Sequence, residues 1–170
     1  MCGNAGPCYT AGLCSEGVSA LAGMTPHLVS MQMQASCAAR HGAGVLLLGP
    51  PGSGKSDLLL RLLDIGFTLV ADDRVDIVDG WAQPPASLAG LLEVRGLGIV
   101  RLPYLAPVRL TLAAELGRWP ERLPLPARHA VLDLPLLAVD ALQNSAPQRI
   151  ALALECALGR VPQLAGAFGA

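Results

Sequence analysis

The sequence predicts an α/β fold with a mixed sheet. Residues 45–48 form a short apolar run with the length of a buried strand, and a glycine-rich turn follows it directly. After the turn, helical spacing is kept by four leucines, Leu58, Leu59, Leu62 and Leu63. Strand-like segments before and after this unit supply the rest of the sheet, so we expect one domain built around it.

Composition excludes several classes of function. The chain is 52% hydrophobic but only 4% aromatic, so its core is expected to consist of Leu, Val and Ala. A net charge of −1 provides no broad basic surface for nucleic acid. The sequence contains no apolar stretch of about 20 residues and no secretory signal pattern. We therefore expect a cytoplasmic protein with no nucleic-acid partner and no membrane partner.

Three regions are expected along the chain. Residues 1–23 are rich in Gly, Ala, Cys and Ser without periodicity, which predicts a disordered tail, and one of the next methionines could be the true start. Residues 24–160 are expected to form the folded domain, and residues 161–170 a frayed C-terminus. The five cysteines are expected to be free thiols, because their number is odd and none has zinc-site spacing.

Several further segments predict the strands of the sheet and the turns between them. Apolar and polar residues alternate over residues 28–39, which predicts a strand with one buried face. Residues 40–44 predict a hairpin-like turn into the next strand. Gly66 is a natural cap for the end of the first helix. Further strands are expected at residues 67–71, 75–78 and 108–112.

The remaining segments are expected to be loops and one helix. Residues 81–86 predict a proline-containing loop, and residues 117–128, with three arginines and three prolines, a flexible basic loop. Residues 147–158 predict a helix with Pro147 near its first position.

The glycine-rich turn fits a phosphate-binding template of glycine, four residues and then Gly-Lys-Ser. Its residues are Gly49, Pro50, Pro51, Gly52, Ser53, Gly54, Lys55 and Ser56. Glycines let successive N–H groups turn inward around phosphate oxygens, Lys55 can reach the outer phosphates, and the Ser56 hydroxyl can ligate Mg²⁺. A chance glycine-rich turn is the alternative. Because strand, loop, Lys-Ser and helix are all in register, we expect the chain to bind nucleotide phosphate.

Acidic residues follow at two places. The strand after the first helix ends in Asp72 and Asp73. A carboxylate at the end of a strand beside a phosphate loop can hold Mg²⁺ or accept a proton, but Asp-Asp is also common in turns, and composition leaves both open. Glu93 and Arg95 interrupt an apolar run at residues 91–101. By alternation both side chains point the same way, toward a shared cleft or toward the outer face of a strand.

Together these motifs resemble the catalytic domain of the HPr kinase/phosphorylase family. The resemblance is carried by the phosphate loop, by the Leu-Val-Ala-Asp-Asp run at residues 69–73 and by the Leu-Glu-Val-Arg-Gly-Leu-Gly-Ile run at residues 92–99. It is strong over residues 32–100 and thin beyond Pro120. The full-length family has an additional N-terminal domain. Residues 24–160 are therefore similar to the catalytic domain of the short, single-domain members.

The resemblance implies an ATP-dependent serine kinase with Mg²⁺ as cofactor. Its substrate would be HPr, a small phosphocarrier of a phosphotransferase system, and its assembly a homo-oligomer, a hexamer by resemblance. Lys55 is implied as the phosphate-loop lysine, Ser56 as a Mg²⁺ ligand and Glu93 as the second Mg²⁺ contact. Asp73 is implied as the base that takes the serine proton, and Arg122 as a catalytic arginine on a mobile loop.

Two departures from the family pattern bear on the reverse reaction, in which inorganic phosphate removes the phosphoryl group from phosphoserine. The family has a histidine where this chain has Gln34, and its C-terminal basic motif has no match around residues 138–149. We therefore expect weak or absent phosphorylase activity. The alternatives to the kinase are a small-molecule kinase with residues 118–128 as its lid, and a nucleotide-sensing module without catalysis.

Overall fold

The computed structural model describes residues 30–117 and 119–169, so the tail expected at residues 1–23 lies outside the described part. The strands are β1 Ser30–Gln34, β2 Ser36–Arg40, β3 Ala43–Leu48, β4 Thr68–Ala71, β5 Arg74–Val78, β6 Trp81–Gln83, β7 Leu91–Val94, β8 Gly98–Arg101, β9 Val108–Leu116 and β10 Leu136–Val139. The α-helices are α1 Lys55–Asp64 and α2 Ala146–Ala157. Both helices expected from the sequence are therefore confirmed.

The main sheet contains strands of both directions, which confirms the expected mixed α/β architecture. Its strand order is β1-β5-β6-β9-β3-β2-β4, and β10 also pairs with β9. β3 and β10 run parallel to β9, and the other pairs are antiparallel. β7 and β8 form a separate antiparallel hairpin. β3 thus lies inside the sheet between β9 and β2, and the glycine-rich loop begins at the end of a strand that is paired on both sides.

The strand expected over residues 28–39 is divided at Ala35 into β1 and β2. β1 pairs with β5, whereas β2 pairs with β3 and β4. The Ala35 N–H donates to the Asp73 carbonyl oxygen at 3.2 Å, which joins the two pairings. The β1–β2 and β4–β5 segments therefore run side by side as two long antiparallel strands, and both pass the end of β3.

Two apolar clusters cover the two faces of the sheet. The cluster on the helix side includes Leu47, Leu58, Leu62, Leu112 and Leu154. The cluster on the opposite side includes Cys37, Leu46, Val70, Ile77 and Leu110. Burying a leucine side chain contributes about 1.5–3 kcal/mol, so this aliphatic core stabilises the domain with few aromatic residues.

The two cysteines in the described part of the chain, Cys37 and Cys156, are both free. Cys37 lies in the cluster opposite the helices, where burial raises the pKa of its thiol. A thiol with a raised pKa stays protonated and is a poor nucleophile. Cys37 therefore acts as a small apolar core residue.

The turn expected at residues 40–44 is confirmed as the hairpin between β2 and β3. His41 and Gly42 have φ values of 52° and 79°. Two successive residues with positive φ form the tight turn whose twist matches that of the flanking strands. His41 is exposed, as expected for a loop histidine.

Two expectations about local structure are wrong. The loop predicted at residues 81–86 begins with a strand, since β6 pairs with β5 and β9. A strand of three residues is too short to show a clear alternation of apolar and polar positions. Residues 91–101 form the β7–β8 hairpin with its turn at residues 95–97. Arg95 therefore lies in the turn and does not share a strand face with Glu93.

The described part of the C-terminal segment, residues 161–169, contains no helix or strand. Ala167 is nevertheless buried, and Phe168 packs against the helix-side cluster. Neither α1 nor α2 is long and apolar enough to cross a membrane, and no other helix in the described ranges is.

Candidate functional site

The glycine-rich loop connects the centre of the sheet to the first helix. β3 ends at Leu48 and α1 begins at Lys55, so the loop comprises residues 49–54. The conformation of the loop depends on local glycines, and its position depends on β3. This arrangement fixes the loop at the carboxyl end of the central strand β3, next to the point where β1 continues into β2.

All three loop glycines, Gly49, Gly52 and Gly54, have positive φ values that strain any other residue, and two of them also lack room for a Cβ. Gly49 has φ 155°, and a Cβ there would lie 3.1 Å from the Leu116 carbonyl oxygen at the end of β9. Gly54 has φ 89°, and its ideal Cβ position lies 3.3 Å from the Ala141 Cβ. The backbone of the loop therefore packs closely against β9 on one side and against Ala141 on the other.

Lys55 lies at the start of α1, with only 9% of its surface exposed. Its Nζ donates to the carbonyl oxygens of Gly49 at 2.9 Å and Pro50 at 3.0 Å. An ammonium group has three N–H donors, so these bonds position the cation and leave one donor for another acceptor. The charge of Lys55 adds to the positive end of the α1 dipole.

The N-terminus of α1 has no side-chain cap. Its N-cap residue is Gly54, and no side-chain hydrogen bond satisfies the first amides of the helix. Ser53 Oγ is also buried without a hydrogen-bond partner among the described residues. Free N–H donors at a helix N-terminus are a common binding site for phosphate groups. The loop has the donors that such a ligand requires.

Asp72 is the carboxylate that the structure joins to the loop. It is 6% exposed. Its Oδ1 accepts hydrogen bonds from Ser56 Oγ at 3.0 Å and from Ser36 Oγ at 2.7 Å, and its Oδ2 accepts a longer one from the Glu93 N–H at 3.4 Å. Three donors from three elements fix the orientation of this carboxylate. The sequence analysis gave a specific role, that of the base, to Asp73 and not to Asp72, and it gave no role to Ser36.

A β-bulge decides which aspartate faces the loop. The pairing of β2 with β4 shifts in register so that Val70 is an extra residue in β4. Leu69 packs in the helix-side cluster, whereas Val70 and Ala71 both pack on the opposite face. The extra residue moves the alternation by one position, so Asp72 rather than Asp73 falls on the side of α1. The regular alternation of side chains along a strand, applied to the sequence alone, does not reveal such a bulge.

Asp73 lies next to Asp72 in a different environment. Its φ is 67°, a left-handed conformation, and its side chain is exposed. It lines a surface cleft of about 390 Å³ together with Gln32, Gln34 and Arg74. No described residue donates a hydrogen bond to its carboxylate or forms an ion pair with it. Asp73 is therefore an accessible acceptor, whereas Asp72 is buried and accepts hydrogen bonds from three described donors.

Glu93 lies in β7, at the point where this strand passes Asp72. Its backbone N–H contacts Asp72, while its side chain is exposed. Within the described ranges, no group of three or more His, Cys, Asp or Glu side chains could hold a metal ion alone. Mg²⁺ in phosphoryl-transfer sites usually takes one or two carboxylates and completes its shell with phosphate oxygens and water. The oxygens of Ser56 and Asp72 lie together, and Glu93 is next to Asp72 in the fold.

Arg122 is not brought to the phosphate loop. It lines a cavity of about 560 Å³ between α2, β10 and residues 119–124. None of the loop residues 49–56 lines this cavity. The structure therefore places the loop, Asp72 and Glu93 in one region. Asp73 lies in a neighbouring cleft that no loop residue lines, and Arg122 lines a separate cavity.

Comparison with a family model gives the first relation to known proteins. Residues 28–105 match the model described as the HPr Serine kinase C-terminal domain. The matched range contains the phosphate loop, both aspartates and Glu93, and it ends before the segment that carries Arg122.

Curated relatives show the same similarity. The proteins named HPr kinase/phosphorylase from Burkholderia cenocepacia (strain HI2424), Burkholderia mallei (strain SAVP1) and Paraburkholderia phymatum are each 38% identical to this chain over 136 residues. Each alignment covers 69% of this chain and 41% of the relative. The chain therefore spans less than half the length of these relatives.

A solved structure has the same fold. The HPr(Ser) kinase/phosphatase from Coxiella burnetii superposes with a TM-score of 0.64 at 22% sequence identity, covering 76% of this chain and 92% of that chain. The resemblance inferred from the motifs and the mixed α/β fold are thus both confirmed.

Proposed function

We propose that this protein is an ATP-dependent serine kinase that phosphorylates an HPr-like phosphocarrier protein. The observation that carries the proposal is the hydrogen bond from Ser56 to Asp72, which joins the end of the phosphate loop to the first of the two acids after β4. A phosphate loop alone binds nucleotide, whereas transfer to a hydroxyl also requires metal-binding oxygens and a carboxylate that orients the acceptor. The similarity to HPr kinase/phosphorylase proteins supports a serine of HPr as that acceptor.

ATP would be bound by the loop and the first turn of α1. The uncapped amides there suit the β- and γ-phosphates. Lys55 is already held by two loop carbonyls, so its third N–H can meet a phosphate oxygen without a large movement. Positioning and charge neutralisation account for most of the rate in phosphoryl transfer, so these contacts are expected to matter in the transition state.

Mg²⁺ would be held by the Ser56 hydroxyl with carboxylate oxygens of Asp72 and Glu93. Bound there together with ATP, it would neutralise negative charge on the phosphates. Asp72 fixes the Ser56 hydroxyl through its 3.0 Å hydrogen bond, and Ser36 holds Asp72 from the other side. Asp72 is thus added to the ligands Ser56 and Glu93 that the resemblance implies.

Asp73 is the proposed base for the acceptor serine. Its carboxylate is exposed and has no hydrogen-bond partner among the described residues, so its oxygens can accept the serine proton. Asp72 is less suited to this role, because it is buried and three hydrogen-bond donors hold its carboxylate toward the loop. Asp72 would therefore hold Mg²⁺, and its neighbour Asp73 would accept the serine proton.

The reverse reaction is proposed to be weak. Gln34 lines the same cleft as Asp73, so the position where the family has a histidine lies beside the proposed base. A histidine can carry charge or transfer a proton near neutral pH, whereas an amide can only donate or accept a hydrogen bond. Phosphorolysis of phosphoserine needs a proton returned to the departing serine, which the protonated Asp73 can supply, and inorganic phosphate held close to the phosphoserine. Gln34, unlike a histidine, adds no positive charge to hold that phosphate.

The rest of the proposal concerns Arg122 and the assembly. Arg122 would act as a catalytic arginine only after residues 119–124 move toward the phosphate loop, because it lines a separate cavity. A homo-oligomer, a hexamer by resemblance, and a cytoplasmic location complete the proposal.

A transfer assay tests the proposal. The protein is incubated with labelled ATP, Mg²⁺ and purified HPr, and HPr with its acceptor serine replaced by alanine is the matched control. We expect label on the serine of native HPr only. Label on a small molecule from a cell extract, with HPr unlabelled, would indicate a small-molecule kinase. ATP binding without transfer to either acceptor would indicate a nucleotide-sensing module. Both outcomes contradict the proposal.

A further inference from the structure

A cavity of about 560 Å³ lies apart from the phosphate loop, between α2, β10 and residues 119–124. Its walls are mainly apolar and include Val139, Leu152, Ala153 and Phe168. Pockets for small organic ligands have volumes of roughly 300–1,000 Å³ and apolar walls with a few polar groups. The cavity has the size and the lining of such a pocket.

Two arginines, Arg122 and Arg149, line the same cavity. Both side chains are exposed, and neither guanidinium has a hydrogen-bond or ion-pair partner in the described part of the chain. Glu121 is the one acidic residue in the lining, so two positive charges face one negative charge. Guanidinium groups bind carboxylates and phosphates through parallel N–H donors. The cavity therefore combines apolar walls with two cations that no described residue pairs.

We propose that this cavity binds a small organic anion with an apolar body, either a carboxylate or a phosphate monoester. The apolar body covers Leu152 and Phe168, and the anionic group meets Arg149. A neutral apolar molecule leaves the arginines unpaired, and inorganic phosphate leaves the apolar walls exposed. Binding therefore requires both parts of the ligand, and it takes place away from the nucleotide site.

A short segment, residues 141–143, connects the cavity to the phosphate loop. Gln143 lines the cavity, and its carbonyl oxygen accepts a hydrogen bond from Arg61 Nη1 of α1 at 3.2 Å. Arg61 also donates to the Ala141 carbonyl oxygen. The Ala141 Cβ in turn lies 3.3 Å from the ideal Cβ position of Gly54. A ligand that displaces Gln143 therefore changes the packing on the phosphate loop, and by reciprocity ATP changes the affinity for that ligand.

Fluorescence of 8-anilino-1-naphthalenesulfonate, an aromatic anion, tests the site on the intact chain. We expect saturable binding at one site that octanoate or octyl phosphate displaces and that octan-1-ol or inorganic phosphate does not. The relative potency of octanoate and octyl phosphate distinguishes a carboxylate site from a phosphate site. Arg149→Gln should weaken binding about tenfold or more, as expected for loss of one charge-assisted hydrogen bond. Leu152→Trp should weaken it by filling the cavity.

Control measurements distinguish the loss of a contact in the cavity from unfolding of the variant. Arg149 and Leu152 are exposed, so both variants should keep the native circular dichroism spectrum. Arg160→Gln removes the same charge outside the cavity and should leave the affinity unchanged. Absence of saturable binding, or binding that Arg149→Gln and Leu152→Trp both leave unchanged, would overturn the site. Displacement by octan-1-ol as effective as that by octanoate would overturn its anionic character.

A separate measurement tests the coupling between the cavity and the phosphate loop. The dissociation constant of a fluorescent ATP analogue should change by about twofold or more when octanoate is added, as a modest coupling free energy predicts. It should not change in Arg149→Gln. An unchanged constant in the native chain would overturn the link. These experiments need no phosphoacceptor, so their outcome does not depend on the proposed kinase activity.

Discussion

The phosphate-loop region and the segment of residues 119–135 hold their functional groups in different ways. The loop is fixed between β3 and α1, and Asp72 is bonded to side chains from two other elements. In residues 119–135 the structure shows no helix and only one isolated bridge, and Trp119 is 80% exposed. A local hydrogen bond from Arg128 Nε to Asp133 Oδ1, at 2.5 Å, lowers the pKa of Asp133.

The difference indicates that side chains around the phosphate loop are held in fixed positions, whereas those in residues 119–135 can adjust. Phosphoryl transfer requires groups held within a fraction of an ångström, which paired strands and a helix terminus provide. A segment with mainly local contacts can instead adjust to a ligand or a partner. Removing a group from the loop region should therefore affect the chemical step, and removing one from residues 119–135 should have a smaller effect.

Lys55→Met has the largest expected effect among variants of the loop. The substitution keeps much of the side-chain volume but removes a cation at the phosphates, so transfer to HPr should fall by about 100- to 1,000-fold. The native circular dichroism spectrum should be retained. Unchanged turnover with an unchanged spectrum would end the phosphate-loop interpretation.

Arg122→Gln makes the matching change in residues 119–135. We expect kcat to fall by about tenfold, the loss of one charge-assisted hydrogen bond, with the affinity for ATP unchanged. Steady-state kinetics with native HPr measure both constants. A loss as large as that of Lys55→Met would show that this segment closes on the phosphates, and the comparison between the two regions would fail.

Glu93→Gln should raise the Mg²⁺ concentration for half-maximal transfer by several-fold. The variant would remove one carboxylate from the proposed metal site and leave Ser56 and Asp72. A Mg²⁺ titration of the transfer rate measures this, and Glu121→Gln, an exposed acid in the other region, is the control. Equal Mg²⁺ curves for native protein and Glu93→Gln would remove Glu93 from the metal site.

Gln34→His has the smallest expected effect on the forward reaction and a specific one on the reverse reaction. Native protein should release little pyrophosphate from phosphoserine-HPr at high inorganic phosphate, and the variant should release more. The gain should be partial, because the C-terminal basic motif of the family is also missing. A native reverse rate comparable to the forward rate would contradict the role assigned to Gln34.

The unit around the phosphate loop could be predicted because its signals are contiguous. The strand at residues 45–48, the glycine template and the leucines of α1 follow one another, so local rules suffice. Asp72 could not be assigned in the same way, since its direction depends on one extra residue, Val70, in the pairing of β4 with β2. β6 is too short for a periodic signal. The position of Arg122 depends on the path of a loop, which periodicity does not determine.

One paired measurement tests the proposed roles of the two aspartates, Asp72 at the metal and Asp73 as the base. For Asp72→Asn and Asp73→Asn, ATP affinity is measured over a series of Mg²⁺ concentrations, and single-turnover transfer to HPr is measured at saturating nucleotide. Asp73→Asn should slow transfer by about 100- to 10,000-fold, the range for loss of a general base, with Mg²⁺-dependent ATP affinity unchanged. Asp72→Asn should instead weaken that affinity and raise the Mg²⁺ requirement. If Asp72→Asn abolished transfer at unchanged ATP affinity while Asp73→Asn had only a small effect, the two roles would be reversed.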